Sequence, residues 1–253
     1  MDKDRRVAGY YIVRVDGGDG EVAHVLEAGP GADRDDLFDV AVDAVELGAG
    51  PTGITAVAIN LTATAETASG FLITYPDGAT RPTASGLQFT ASTDIAQMAI
   101  VPVATNGKID IFNTGGNNAA IDLLGDVVGY FTAGTSGEKY HAVNASRMLD
   151  TRIDNTPLTS QSIRTLAQPS TVSAAAPTLV TNITVTDGTG PGYLTFYPDG
   201  TTRPTTSNIN WAAGQTIAAL ALPAIGNGST DIYAGGPSTV NVIIDCNGYF
   251  ATN

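Results

Sequence analysis

Two segments, YPDGATRPTAS (Tyr75 to Ser85) and YPDGTTRPTTS (Tyr197 to Ser207), each open on a tyrosine and set an aspartate four residues before an arginine. A carboxylate and a guanidinium so spaced, Asp77 with Arg81 and Asp199 with Arg203, could clamp a polar ligand, and the rings of Tyr75 and Tyr197 could stack on a sugar. The same residue types also build a turn that needs no ligand, with aspartate as its cap and arginine tying its exit. These six side chains are the candidate ligand contacts, to be weighed against that structural role.

Other chemistry has little to stand on. There are two histidines, His24 and His141, and no G-x-S-x-G elbow. The lone cysteine, Cys246, sits in the apolar run VNVIIDCNGYF with no histidine nearby. It reads as a small buried hydrophobe, and it rules out an internal disulfide. DGGDGEVAH (Asp16 to His24) and DTRID (Asp150 to Asp154) gather carboxylates, but neither has the alternate-residue oxygens of a calcium loop. Both read as turns, the first a hairpin tip, and neither a metal nor a cofactor is expected. No catalytic residue emerges, so the chain reads as a non-enzyme, although sequence cannot show which aspartates converge in space. Asn60, Asn144, Asn182 and Asn227 head N-x-S/T triplets, with Asn60 and Asn182 inside expected strands.

Composition narrows the classes. The 253 residues carry 12 basic and 25 acidic side chains, a net charge of −13. Lysine occurs only at Lys3, Lys108 and Lys139, so nucleic acid should be repelled rather than bound. Acidic excess with so little lysine fits a salty solvent, and GC-rich coding would produce it too. No apolar run approaches the roughly 18 residues that cross a bilayer, so membrane insertion is not expected. The opening MDKDRRVAGYYIVRV is charged and then alternating, unlike an export signal.

The paired segments belong to a longer repeat. Tyr75 and Tyr197 are 122 residues apart (197 − 75 = 122), and Asn60-Leu61-Thr62 matches Asn182-Ile183-Thr184 at the same offset. IDIFN from Ile109 matches TDIYA from Thr230, and DVVGYF from Asp126 matches DCNGYF from Asp245. A third echo, VAGYY from Val7 to Tyr11, predicts an edge strand over residues 1–15 ahead of a unit at 16–133 and a second at 134–253. Period-two alternation of β-branched residues, as in ITAVAINLTAT from Ile54, predicts strands, and Ser92 to Val103 reads as strand rather than helix. The fold class is therefore all-β, as two tandem β-sandwich units of jelly-roll or immunoglobulin-like wiring. The second core should contain Val180, Ile183, Leu194, Phe196, Ile209, Trp211, Ile232, Val242 and Ile244. In YPDG, proline should take the first corner of a type I turn, aspartate the second, and glycine a left-handed bulge.

YPDG followed by RP and S, then VP or LP, then D and GYF, with RMLDTR (Arg147 to Arg152) before the second unit, resembles a β-rich tandem repeat of secreted and surface proteins of actinobacteria and other prokaryotes. The likeness covers nearly the whole chain. It implies an extracellular, non-enzymatic module. Unit one departs from the pattern, with HVLEAGP (His24 to Pro30) where RMLDTR is expected. A surface-type sandwich opening without an export signal is expected to be a structural protein of a virion surface: a capsid decoration, vertex turret or tail component mediating assembly or host contact. Its partners would be copies of itself or other surface proteins. The alternative is a secreted or cell-envelope adhesive module that binds glycans.

Overall fold

β-Branched and small residues at alternate positions leave the chain little choice but extended backbone. The computed structural model describes residues 11–17, 20–26, 37–41, 53–114, 121–134 and 137–252, with side chains from residue 53 onward. Every regular element among them is a strand. The chain divides into two compact units, Met1–Ile95 with Ala99–Ala133 in the first and Ala96–Met98 with Gly134–Asn253 in the second.

Unit one runs β1 (Tyr11–Gly17), β2 (Gly20–Leu26), β3 (Leu37–Ala41), β4 (Ile54–Thr64), β5 (Gly70–Pro76), β6 (Gln88–Phe89), β7 (Ile95–Pro102), β8 (Lys108–Asn113) and β9 (Asp122–Thr132). Its sheets are ordered β3-β8-β5-β6 and β7-β4-β9. β1 pairs antiparallel with β2, Gly17 opposite Gly20, and lies beside β9. Residues 1–10 of the expected edge strand lie outside the described residues.

Unit two runs β10 (Lys139–Asp150), β11 (Ile163–Ala167), β12 (Thr178–Thr186), β13 (Gly192–Pro198), β14 (Ile209–Trp211), β15 (Ile217–Ala221), β16 (Ser229–Gly235) and β17 (Asn241–Ala251). Its sheets are ordered β10-β17-β12-β15 and β11-β16-β13-β14. Each connection carries the chain from one sheet to the other, except β13 to β14, which stays within its sheet. That alternation is jelly-roll wiring rather than immunoglobulin-like wiring. Strands β3 to β9 repeat the order of β11 to β17, and the within-sheet exception in unit one is β5 to β6. The two eleven-residue segments thus begin the one hairpin that each of these matched sets of strands keeps within a sheet.

Inner faces supply the cores. Val57, Ile59, Leu61, Leu72, Ile109, Ile111 and Leu123 anchor unit one. Ile183, Leu194, Phe196, Ile209, Trp211, Ile232, Val242 and Ile244 anchor unit two, as expected from the sequence. Each fully buried aliphatic side chain contributes roughly 1.5–3 kcal/mol over an exposed one. Val180 is the exception in that expected core. It shares strand parity with Asn182 and Thr184, on the face opposite Ile183, so it is only half-buried and Leu179 points inward instead.

The GYF echoes mark a bulge. β12 pairs Val180 with Gly248 and Thr181 with Cys246, so Asn247 is the extra residue; in β9, Val128 is the extra residue before Gly129. The bulge changes which face the following side chains take. Tyr249 packs beside Cys246 and Leu179, whereas Gly248 lies beneath the Tyr140 ring.

Candidate functional site

The paired hairpin connections leave β5 and β13 through a tight turn. Ala79 N donates to Pro76 O at 3.1 Å and Thr201 N to Pro198 O at 3.2 Å, with Gly78 at φ +71° and Gly200 at φ +85°. Proline therefore occupies the first of the four positions and glycine the third, where positive φ defines a type II turn. The frame expected from sequence is displaced by one residue. Its reason is that glycine alone takes positive φ without steric cost, so the glycine and not the proline sets the register.

Beyond the turn the chain lies back across the outer face of its own sheet. Gly86 N donates to Leu72 O and Asn208 N to Leu194 O, both at 2.8 Å. Asn208 Oδ1 accepts from Phe196 N at 2.8 Å, and Thr195 Oγ1 donates to Thr206 O at 2.6 Å. The arginines complete the strap: the guanidinium of Arg81 sits 3.8 Å from the centre of the Phe112 ring, and that of Arg203 sits 3.9 Å from Tyr233. Beneath lie Ile73, Tyr75 and Phe112 in unit one, on the sheet face opposite the main core.

The six candidate residues are thus placed as follows. Asp77 accepts from Asn106 Nδ2, and the Asp199 backbone is held by Asn227 Nδ2, at 3.2 Å, and by Ser229 O, to which its amide donates at 3.4 Å. Each arginine caps a ring, so neither aspartate meets the arginine four residues on. Tyr75 and Tyr197 are 6% and 5% exposed, so neither ring offers an open face. Burial is the main cause pushing the Tyr197 hydroxyl above its ordinary pKa, with Asp231 adding to it. The segments are built for packing, and their exposed residues are Arg81 and Arg203 together with small, mainly polar residues and one proline.

A second charged group forms around RMLDTR. Arg152 grips Asp150 with Nε to Oδ1 at 2.9 Å and Nη2 to Oδ2 at 2.8 Å, and its amide donates to Oδ1 at 3.2 Å. Arg147 spans Asp150 (2.7 Å) and Asp245 of β17 (2.5 Å). Hydrogen bonds from Arg152 come first among the causes that hold Asp150 at about 2. Asp150, at the end of β10, therefore ties the following loop to β17. The motif signalled this group, but Asp245 lies 98 residues from Arg147 and only strand pairing reveals it. Asp154 of DTRID reaches Arg164 at 3.9 Å. The side chains of DGGDGEVAH lie outside the described residues; its ends belong to the paired strands β1 and β2.

One group has no sequence signal at all. Glu66, in the connection after β4, is 2% exposed, and neither of its carboxylate oxygens has a hydrogen-bond partner. Burial raises its pKa, the Glu66 and Thr93 amides oppose this without closing a hydrogen bond, and Asp94 and Asp122 add to the rise. Cys246 is fully buried, its thiol pushed up by burial while Sγ donates to Gly248 O at 3.4 Å. Of the N-x-S/T asparagines, Asn60 is buried, Asn182 lies on the central strand β12, Asn227 holds Asp199, and Asn144 is exposed where β10 breaks register.

No family model matches the chain, and no curated protein is similar to it. Among solved structures, a putative secreted protein from Parabacteroides distasonis aligns over 96% of this chain and 91% of its own at 12% identity, TM-score 0.23. Pro-11S globulin of pumpkin aligns over 86% and 78% at 10% identity, TM-score 0.19. An oxalate decarboxylase mutant from Bacillus subtilis aligns over 86% and 74% at 9% identity, TM-score 0.16. Scores this low carry no argument about architecture or role. No helix among the described residues is long and apolar enough to cross a membrane.

Proposed function

We propose that this chain is a structural, non-catalytic surface protein that works by associating with copies of itself or with other surface proteins, most simply on the outside of a virion. The observation that carries the reading is the use of polar chemistry within each unit. The charged groups of Arg81, Arg203, Asp77, Asp150 and Asp245 are engaged by the fold itself, and Asp199 is held through its backbone. What each unit offers outward is sheet edge and surface.

β15 is such an edge. Among the described residues it pairs only with β12, and its sequence, Ile217-Ala-Ala-Leu-Ala221, carries no charge in a chain of net charge −13. Ala218 and Leu220 are exposed on it. Edge strands without lysine, proline or a bulge invite strand addition. Antiparallel pairing of two β15 strands about Ala219 sets Ala218 against Leu220 of the other copy, bringing small apolar residues together and no like charges. High salt screens the repulsion between the rest of the two surfaces, since the Debye length falls from about 10 Å at 0.1 M to about 3 Å at 1 M.

Electron microscopy of the purified chain in high salt tests the reading: regular assemblies support it, and a field of single particles the size of one chain contradicts it. A glycan-binding role draws on Tyr130 and Tyr140, 44% and 51% exposed. Saturable glycan binding that is lost in Tyr140→Ala would favour that second reading.

A further inference from the structure

The internal repeat makes each unit a control for the other, and one corner differs in kind. Thr64 ends β4 opposite Asp122 of β9, as Thr186 ends β12 opposite Asn241 of β17. Thr64 Oγ1 donates to Asp94 Oδ1 at 2.5 Å, where Thr186 and Thr216 share a hydrogen bond of 2.7 Å. Ser92 N donates to Glu66 O at 3.0 Å, and Gly214 N to Gly188 O at 2.8 Å. Backbone conformation matches too, with Ala65 and Asp187 at φ 54° and 56°, and Ser92 and Gly214 at 60° and 69°. Glu66, Asp94 and Asp122 therefore stand where unit two has Gly188, Thr216 and Asn241. At these three positions unit one carries carboxylates and unit two carries none; the one acid at the unit-two corner, Asp187, stands where unit one has Ala65 and accepts from Asn241 Nδ2 at 3.3 Å.

The difference is not surface decoration. In unit two, a side chain at Gly188 would meet the Trp211 indole nitrogen at 2.7 Å, so that space is filled. In unit one the glutamate is present and buried, and no hydrogen bond closes on either of its oxygens. A buried carboxylate with no partner and two more acids beside it is unfavourable unless something positive neutralises it. Asp94 and Asp122 are exposed and can turn, whereas Glu66 is fixed by burial.

We propose that this corner of unit one binds a divalent cation, with Ca²⁺ the ion that suits its all-oxygen donors. Ca²⁺ tolerates irregular coordination and takes carboxylates, backbone carbonyls and water together, whereas Mg²⁺ demands near-ideal octahedral geometry. Glu66 is the inner ligand, with both oxygens available. Among the described residues no three acidic, His or Cys side chains already stand as a metal site, so binding draws Asp94 and Asp122 toward Glu66. The cation ties the ends of β4, β7 and β9 together where unit two uses the Thr186–Thr216 hydrogen bond and that from Asn241 to Asp187.

The experiment is calorimetric titration of the full chain, stripped with chelator, with Ca²⁺ and with Mg²⁺ at one fixed ionic strength, alongside thermal unfolding. The expected result is saturable uptake of a single Ca²⁺ per chain, weaker uptake of Mg²⁺, and a Ca²⁺-dependent rise in the unfolding midpoint. Glu66→Gln should abolish the Ca²⁺ response. Asp94→Thr and Asp122→Asn, which copy residues that unit two folds with, should weaken it. No saturable Ca²⁺ binding by the wild type, equal response to both ions, or binding that survives Glu66→Gln would each overturn the proposal. In the first case, if Glu66→Gln also raises stability at neutral pH without any ion, the buried carboxyl is held protonated instead.

Discussion

Arg203 and Asp150 show how single charged residues close this fold. The Arg203 guanidinium lies on the Tyr233 ring, an interaction worth about 0.5–1 kcal/mol where the pair is partly exposed. Arg203→Ala should lower stability by about that amount in urea denaturation, and Arg203→Lys should not restore it fully, because the flat guanidinium is what stacks. Asp150 has a folded-state pKa of about 2 against an ordinary 3.8. Its bonds to Arg147 and Arg152 therefore contribute in full above 3.8 and are lost as pH falls through about 2. In acid titrations, the stability gap between wild type and Asp150→Asn should shrink over that window and stay constant above it. Residue types alone flagged the Asp and Arg of YPDGxTRP, but not their partners. Phe112 and Tyr233 are on strands β8 and β16, about 30 residues from their arginines in sequence, and only sheet order places them under the guanidinium groups. Glu66 was invisible because nothing local distinguishes a buried glutamate in a polar connection from a solvated one.

At the level of strands, alternation was legible and wiring was not. The parity of ITAVAINLTAT put Val57, Ile59 and Leu61 on one face, and they are fully buried. Jelly-roll and immunoglobulin-like sandwiches share that alternation; what separates them is which sheet each successive strand joins, a matter of contacts far apart in sequence. Glycines within strands carried a clearer message than their spacing suggested. Tyr193 pairs with Gly235, and Gly192 with Trp211, so each glycine lets an aromatic ring lie flat across the neighbouring strand. A methyl group on Gly235 would land inside the Tyr193 ring. Gly235→Ala should cost about 1–3 kcal/mol by thermal or urea unfolding, as overpacking does, and Tyr193→Ala combined with it should recover part of the loss.

On the scale of the whole chain, the repeat duplicates a scaffold and lets its copies diverge: unit two carries the Arg147–Asp150–Arg152 tie, and unit one the acidic corner. Neither of these features asks for catalysis. A net charge of −13 resists association in dilute buffer, so salt should promote it, opposite to its effect on an interface built from ion pairs. The uncharged edge β15 is where copies are expected to join, and a lysine there should block pairing, as it does on natural edge strands. Sedimentation velocity of wild type and Leu220→Lys across a salt series tests this most directly. The account predicts that the wild type moves to larger species as salt rises while Leu220→Lys stays at the mass of one chain; a wild type that remains a single chain at every salt concentration, or a variant that assembles equally well, would contradict it.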